Sequence, residues 1–122
     1  MKAWVQNQAI KAAKKSRYPV FRHGAVFESG GRIIFSSCNI KKSITPSASM
    51  SVHAEVSGLK AVMSKARLRD TTSVNLYVCR VSPRGEVVLS KPCEKCLAKI
   101  KESGIINSVF YPTNDGWEEE RI

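Results

Sequence analysis

Residues 74–111, VNLYVCRVSPRGEVVLSKPCEKCLAKIKESGIINSVFY, carry the stretch on which the fold turns. Val74 to Val81 is rich in β-branched and aromatic residues and reads as a strand. Ser82-Pro83-Arg84-Gly85 is a turn, and the short apolar run Val87 to Leu89 follows it. A helix is expected from Pro92, since proline suits the first helical turn, where its missing N–H costs nothing. Gly104 stops that helix, and Ile105 to Tyr111 is the next strand.

Upstream, Val20 to Phe27 and Arg32 to Cys38 read as two strands joined across Glu28-Ser29-Gly30-Gly31, a glycine turn suited to a hairpin. Trp4, Val5, Ala9, Ile10 and Ala13 recur at helical spacing, so residues 2–15 should form an amphipathic helix that ends before Pro19, with Trp4 as a core anchor. Residues 39–51 contain Pro46 and five serine or threonine residues, the composition of a loop. From Val52 to about Ala66 the apolar residues Val56, Leu59, Ala61, Val62 and Met63 fit a further helix, with Ser51 as its N-cap. Downstream, Asn114-Asp115-Gly116 is a tight turn, after which Trp117 to Ile122 folds back antiparallel on the preceding strand. Strands alternating with helices make this an α/β protein, with a mixed central sheet of about five strands flanked by helices in two or three layers. Length and the absence of a Pro/Ser/Gly-rich linker suggest one domain, residues 1–122.

The starts of two of the helices carry the chemistry. His53-Ala54-Glu55 and Pro92-Cys93-Glu94-Lys95-Cys96 supply one imidazole, two thiols and a carboxylate. Cys93 and Cys96 stand three apart, so on the first turn of a helix both sulfurs face one side. A helix N-terminus favours the thiolate form that binds metal. His53, Cys93 and Cys96 are three candidate zinc ligands, and three leave one coordination position open, the mark of a catalytic rather than a structural site. Two other readings of the cysteines exist. One is a closed structural zinc site with Cys38 or Cys79 as fourth ligand; the other is a redox C-x-x-C. Neither accounts for Glu55 and Pro92 together. Cys38 and Cys79 themselves end apolar runs and read as buried free thiols.

The ordered motif pair resembles the H-x-E and P-C-x-x-C signature of zinc-dependent nucleobase deaminases. Arg22-His23-Gly24-Ala25-Val26, Asn39 and Leu76-Tyr77-Val78 are similar to the segments flanking those motifs in the cytidine/deoxycytidylate deaminase superfamily, so the resemblance spans roughly residues 20 to 112. It implies a cytidine deaminase-like α/β/α fold, a Zn2+ cofactor held by His53, Cys93 and Cys96, and Glu55 as the proton carrier. It further implies that Asn39 contacts the substrate sugar, that the backbone N–H of Ala54 touches the base, and that His23 lies near the pocket mouth. Outside the resemblance, Asn39 reads as a turn residue at a strand end, and His23 as a structural histidine. Cytidine deaminases of similar length resemble a three-cysteine site with Cys-Ala-Glu, from which His53 departs; the deoxycytidylate and nucleic-acid branches use histidine there. The terminal hairpin resembles the free-nucleoside and toxin-like branches. Small deaminases commonly complete their pockets across subunits, so the resemblance also implies a homo-oligomer.

Charge bears on the substrate. The chain has a net charge of +10. Residues 1–69 contain 13 Lys/Arg against 2 Asp/Glu, whereas residues 70–122 contain 7 against 8. Such a basic excess draws phosphate-bearing partners, or is simply a solvated surface. Lys11, Lys14 and Lys15 share a helix face; Lys41 and Lys42 precede the His53 motif; Arg80, Arg84, Lys91 and Lys95 surround the cysteine motif. Two substrates follow: a cytosine nucleoside or nucleotide, favoured by the short chain and terminal hairpin, or cytosine or adenine in single-stranded DNA or RNA. Aromatic content of 7% supplies few stacking platforms for a strand. A non-catalytic zinc-containing binding module is a third reading, opposed by the intact Glu55. No apolar stretch approaches bilayer length and no signal-peptide core is visible, so a cytoplasmic protein without membrane association is expected.

Overall fold

The computed structural model describes residues 3–15, 22–38, 40–41, 51–52, 73–88 and 94–122. Its elements are α1 (Ala3–Lys14), β1 (Arg22–Ser29), β2 (Arg32–Cys38), β3 (Ile40–Lys41), β4 (Ser51–Val52), β5 (Val74–Val81), β6 (Val87–Val88), α2 (Glu94–Ser103), β7 (Ile106–Thr113) and β8 (Gly116–Arg121). The main sheet has the order β2-β1-β5-β7-β8, with β6 paired to β5.

Local chemistry explains each connection. β1 and β2 are joined by Gly30 and Gly31 at φ 58° and 83°, the left-handed pair that a two-residue hairpin turn of matching twist requires. The strand runs on through Glu28 and Ser29, two residues into the expected turn, and Ser29 pairs with Arg32. β5 and β6 are joined by a short hairpin closed by Gly85 N–H donating to the Ser82 carbonyl at 2.9 Å. β7 turns into β8 through Asn114 and Asp115, and the Thr113 hydroxyl donates to the Gly116 carbonyl at 2.7 Å. The terminal hairpin is therefore as expected. β5 and β7, by contrast, are parallel, and α2 lies in the chain between them. Parallel neighbours cannot be joined by a tight turn and need such a crossover.

Alternation along the strands sorts two cores. Ala25 and Phe27 of β1 and Val74, Leu76 and Val78 of β5 gather with Ile100 of α2, Ile106, Val109 and Tyr111. Val26 of β1 and Tyr77, Cys79 and Val81 of β5 gather on the other face with Val5, Ala9, Ala12 and Ala13 of α1 and with Phe110. There Tyr77 stacks on Phe110 at a centroid distance of 4.5 Å, with Trp117 tilted against it at 6.3 Å. The sheet thus separates α1 from α2, giving three α/β/α layers. The α1 layer is seated closely: a Cβ on Gly24 would lie 2.3 Å from Ala13 N, 2.6 Å from Ala9 O and 2.9 Å from the Ala12 carbonyl carbon.

Four expectations are corrected. Trp4 is 46% exposed and is not a core anchor; Val5, Ala9, Ala12 and Ala13 fill the inward stripe of α1 and leave Trp4 beside it. Ser51 and Val52 form β4, paired antiparallel with Lys41 and Ile40, so they are neither an N-cap nor the start of a helix. The stretch 39–51 is accordingly not all loop. Cys38 is half-buried on the outer strand β2, whereas Cys79 is buried as expected. The helix expected over 53–66, the proline start at Pro92 and the apolar end at Leu89 lie outside the described residues.

Two outcomes follow from the α1 layer. Gly24→Ala should lower stability by about 1–3 kcal/mol, the usual range for overpacking, because the obstructing atoms are helix backbone; urea unfolding measures it. Burial raises the Cys79 thiol from its ordinary 9.0 to about 12, against a smaller lowering by the charge of Lys14. The folded thiol then holds its proton more tightly than the unfolded one. Its contribution is complete below pH 9 and is lost as pH rises from about 9 to 12. Unfolding followed across that window should show a slope that Cys79→Ala reduces.

Candidate active site

Only part of the motif set is described: Cys96 on α2 and His23 on β1. His53, Ala54, Glu55, Cys93 and Asn39 lie outside the described residues, and among the described ones no three His, Cys, Asp or Glu side chains form a metal-sized group.

Cys96 lies in the first turn of α2 and is buried, with 3% exposure. It is one turn before Ile100, so both occupy the helix face turned to the sheet, and Ile100 belongs to the core beneath α2. The helix ends at Ser103, whose hydroxyl donates to the Ile100 carbonyl at 2.6 Å, while the Gly104 N–H donates to the Lys101 carbonyl at 3.3 Å. Because α2 returns the chain from the end of β5 to the start of β7, its N-terminus lies toward the carboxyl ends of both strands. Open sheets with parallel strands hold their ligands at that end.

His23 reaches the same end by a different route. β1 runs antiparallel to β5, so its first residues lie beside the last of β5, and His23 pairs directly with Arg80. His23 and Arg80 continue the rows of Ala25 and Val78, which face α2. Both are half-buried, and Arg80 Nε is shielded from water. Two of the expected site residues, one from each end of the sequence, therefore share the α2 face and the same end of the sheet. The Arg80 pairing with His23 escaped the sequence reading, which registered Arg80 only as part of a basic surrounding; register between distant strands has no local signal.

The small β3–β4 ladder adds a third approach. Ile40 pairs with Val52, and these two are the sequence neighbours of Asn39 and His53. The backbone next to the expected sugar-contacting residue is thereby hydrogen-bonded to the backbone next to the expected metal ligand.

The alternative zinc site with Cys38 or Cys79 does not fit this arrangement. Both cysteines pair with Gly24 from either side. Directly opposed residues share a face, and that face is the one covered by α1. The sheet stands between them and Cys96. A buried first-turn thiol in a C-x-x-C pair, together with an imidazole, is the donor set zinc prefers. Cys96 is such a thiol, and neither Cys38 nor Cys79 lies on its side of the sheet.

The basic surface is divided likewise. Lys11, Lys14 and Lys15 are exposed on α1, across the sheet from Cys96. Among the described residues no helix is long and apolar enough to cross a membrane.

Comparison with known proteins agrees with this geometry. The chain superposes on cytidine deaminase from Mycobacterium leprae with a TM-score of 0.60 at 21% identity, covering 98% of this chain and 94% of that one. For cytidine deaminase from Mycobacterium tuberculosis the values are 0.60 and 22%, covering 99% and 91%. For dCMP deaminase from the cyanophage S-TIM5, in complex with dCMP and dUMP, they are 0.58 and 18%, covering 93% and 84%. At these identities the likeness is one of fold. No curated protein matches the chain significantly in sequence. Residues 2–112 match the family described as cytidine and deoxycytidylate deaminase zinc-binding region, and the chain belongs to that family.

Proposed function

We propose that the protein is a zinc-dependent hydrolytic deaminase that converts cytosine to uracil in a nucleoside or nucleotide. The observation that carries this reading is the family membership over residues 2–112, together with Cys96, buried at the start of the crossover helix. His53, Cys93 and Cys96 hold the metal. When bound, zinc supplies the Lewis acidity that makes water a nucleophile near neutral pH.

The remaining work belongs to the chain. Glu55 follows His53 by two residues and takes the proton of the attacking water. It passes that proton to the ring nitrogen and then serves the departing amine, so that water is consumed, ammonia leaves and a carbonyl replaces the amine. Asn39 holds the sugar and the Ala54 N–H the base. The pocket opens where His23 and Arg80 pair.

Cytosine in single-stranded DNA or RNA is the competing substrate. The separation of the α1 lysines from Cys96 favours the small molecule, because a bound strand would need a cationic track continuous with the pocket. A steep fall of affinity with salt would support the strand instead.

Glu55→Gln should retain zinc, measured by atomic emission, and lose roughly 10²- to 10⁴-fold in turnover, the usual worth of a general acid/base. The assay is mass-spectrometric amine-to-carbonyl conversion of cytidine, deoxycytidine, their monophosphates and single-stranded DNA and RNA. A variant with zinc and near-normal activity on the active substrate would refute the role of Glu55.

A further inference from the structure

The deaminase reading uses the His53, Glu55 and cysteine motifs but gives Arg80 no task. In β5 the row Val74, Leu76 and Val78 lies in the core beneath α2, and Arg80 is the next residue of that row. Two residues along a strand advance about 6.6 Å, and the four residues from Ile100 back to Cys96 advance about 6 Å along the helix. From the core that Val78 and Ile100 share, Arg80 and Cys96 both stand toward the same end of the sheet. His23 stands directly beside Arg80 on β1, and Val88 flanks it on β6. Arg80 is half-buried, with Nε shielded from water. Arg84 lies just beyond, exposed on the hairpin that leaves β5.

Cytosine itself is neutral, and the proton traffic of its deamination falls to Glu55. A guanidinium beside an imidazole suits an anionic part of the substrate. Arginine presents a planar fork of donors that matches phosphate oxygens, and such charge-assisted bonds are among the strongest a protein makes. Building on the deaminase reading, we infer that Arg80, with His23 beside it, is a specificity-determining residue that donates to the 5′-phosphate monoester of a cytosine nucleotide. The position of the α1 lysines on the other face of the sheet points to a monoester rather than the repeated diesters of a strand.

The test compares wild type, Arg80→Gln and Arg80→Lys on dCMP, deoxycytidine and a cytosine-containing single-stranded oligonucleotide. Binding of dUMP and deoxyuridine is measured in parallel by calorimetry, and zinc content and circular dichroism report folding. Wild type should prefer dCMP. Arg80→Gln should lower kcat/KM for dCMP roughly 10- to 100-fold, mostly through KM, the size expected for a hydrogen bond to a charged group. The loss on deoxycytidine should be at least several-fold smaller, and lysine should restore part of the dCMP rate. Equal losses on both substrates, a wild type indifferent to the phosphate, or an effect confined to the oligonucleotide would overturn the inference. If Arg80→Gln does not fold, the wild-type preference and the lysine variant decide. If wild type converts no substrate, the deaminase reading fails, and calorimetry still judges Arg80: dUMP must bind more tightly than deoxyuridine, and the advantage must fall in Arg80→Gln.

Discussion

The parallel pairing of β5 with β7 is the constraint on which the rest of the structure depends. Two adjacent strands that run the same way oblige the chain to return across one face of the sheet, and α2 is that return. Its first turn is thereby delivered to the carboxyl ends of the strands with Cys96 turned inward. Ile100 anchors α2 in the apolar core it shares with Val78, Leu76 and Val109.

The opposite face shows how a sheet keeps two chemistries apart. Gly24 lets the α1 backbone settle onto β1, and the same row carries Cys38 and Cys79 on either side of it. Thiols that could compete for a soft metal are thus held behind a hydrogen-bonded layer, and one of them is kept protonated by burial. The lysines of α1 face solvent on that side as well. Net charge alone suggests a generally basic protein, whereas the layers restrict which of those charges can act near Cys96.

Legibility of the sequence followed the range of each signal. Gly30-Gly31 and Asn114-Asp115-Gly116 announce their turns within a few residues, and Val74 to Val81 matches its strand because β-branched and aromatic residues make up half of it and stand at both ends. The alternation of elements announced an α/β protein of two or three layers, and the family resemblance pointed to the three that are found. Trp4 was misread because helical spacing identifies a stripe but not its width, and α1 meets the sheet so closely that small residues fill the inward side. The Ile40–Val52 ladder and the His23–Arg80 neighbourhood depend on pairing between segments far apart in sequence, about which local composition says nothing. For the candidate site, the motif spacing was legible and the shared face of Cys96 and His23 was not. His53, Glu55 and Cys93 remain readings of sequence and family.

The terminal hairpin leaves β8 as the outermost strand on its side of the described sheet. An outer strand exposes unpaired backbone groups that invite a second copy to continue the ladder. Here the strand is Gly-Trp-Glu-Glu-Glu-Arg, so two such edges meeting antiparallel would bring runs of carboxylates together. In a protein whose overall charge is positive, this acidic margin opposes end-to-end growth into fibres, and high salt would weaken that opposition.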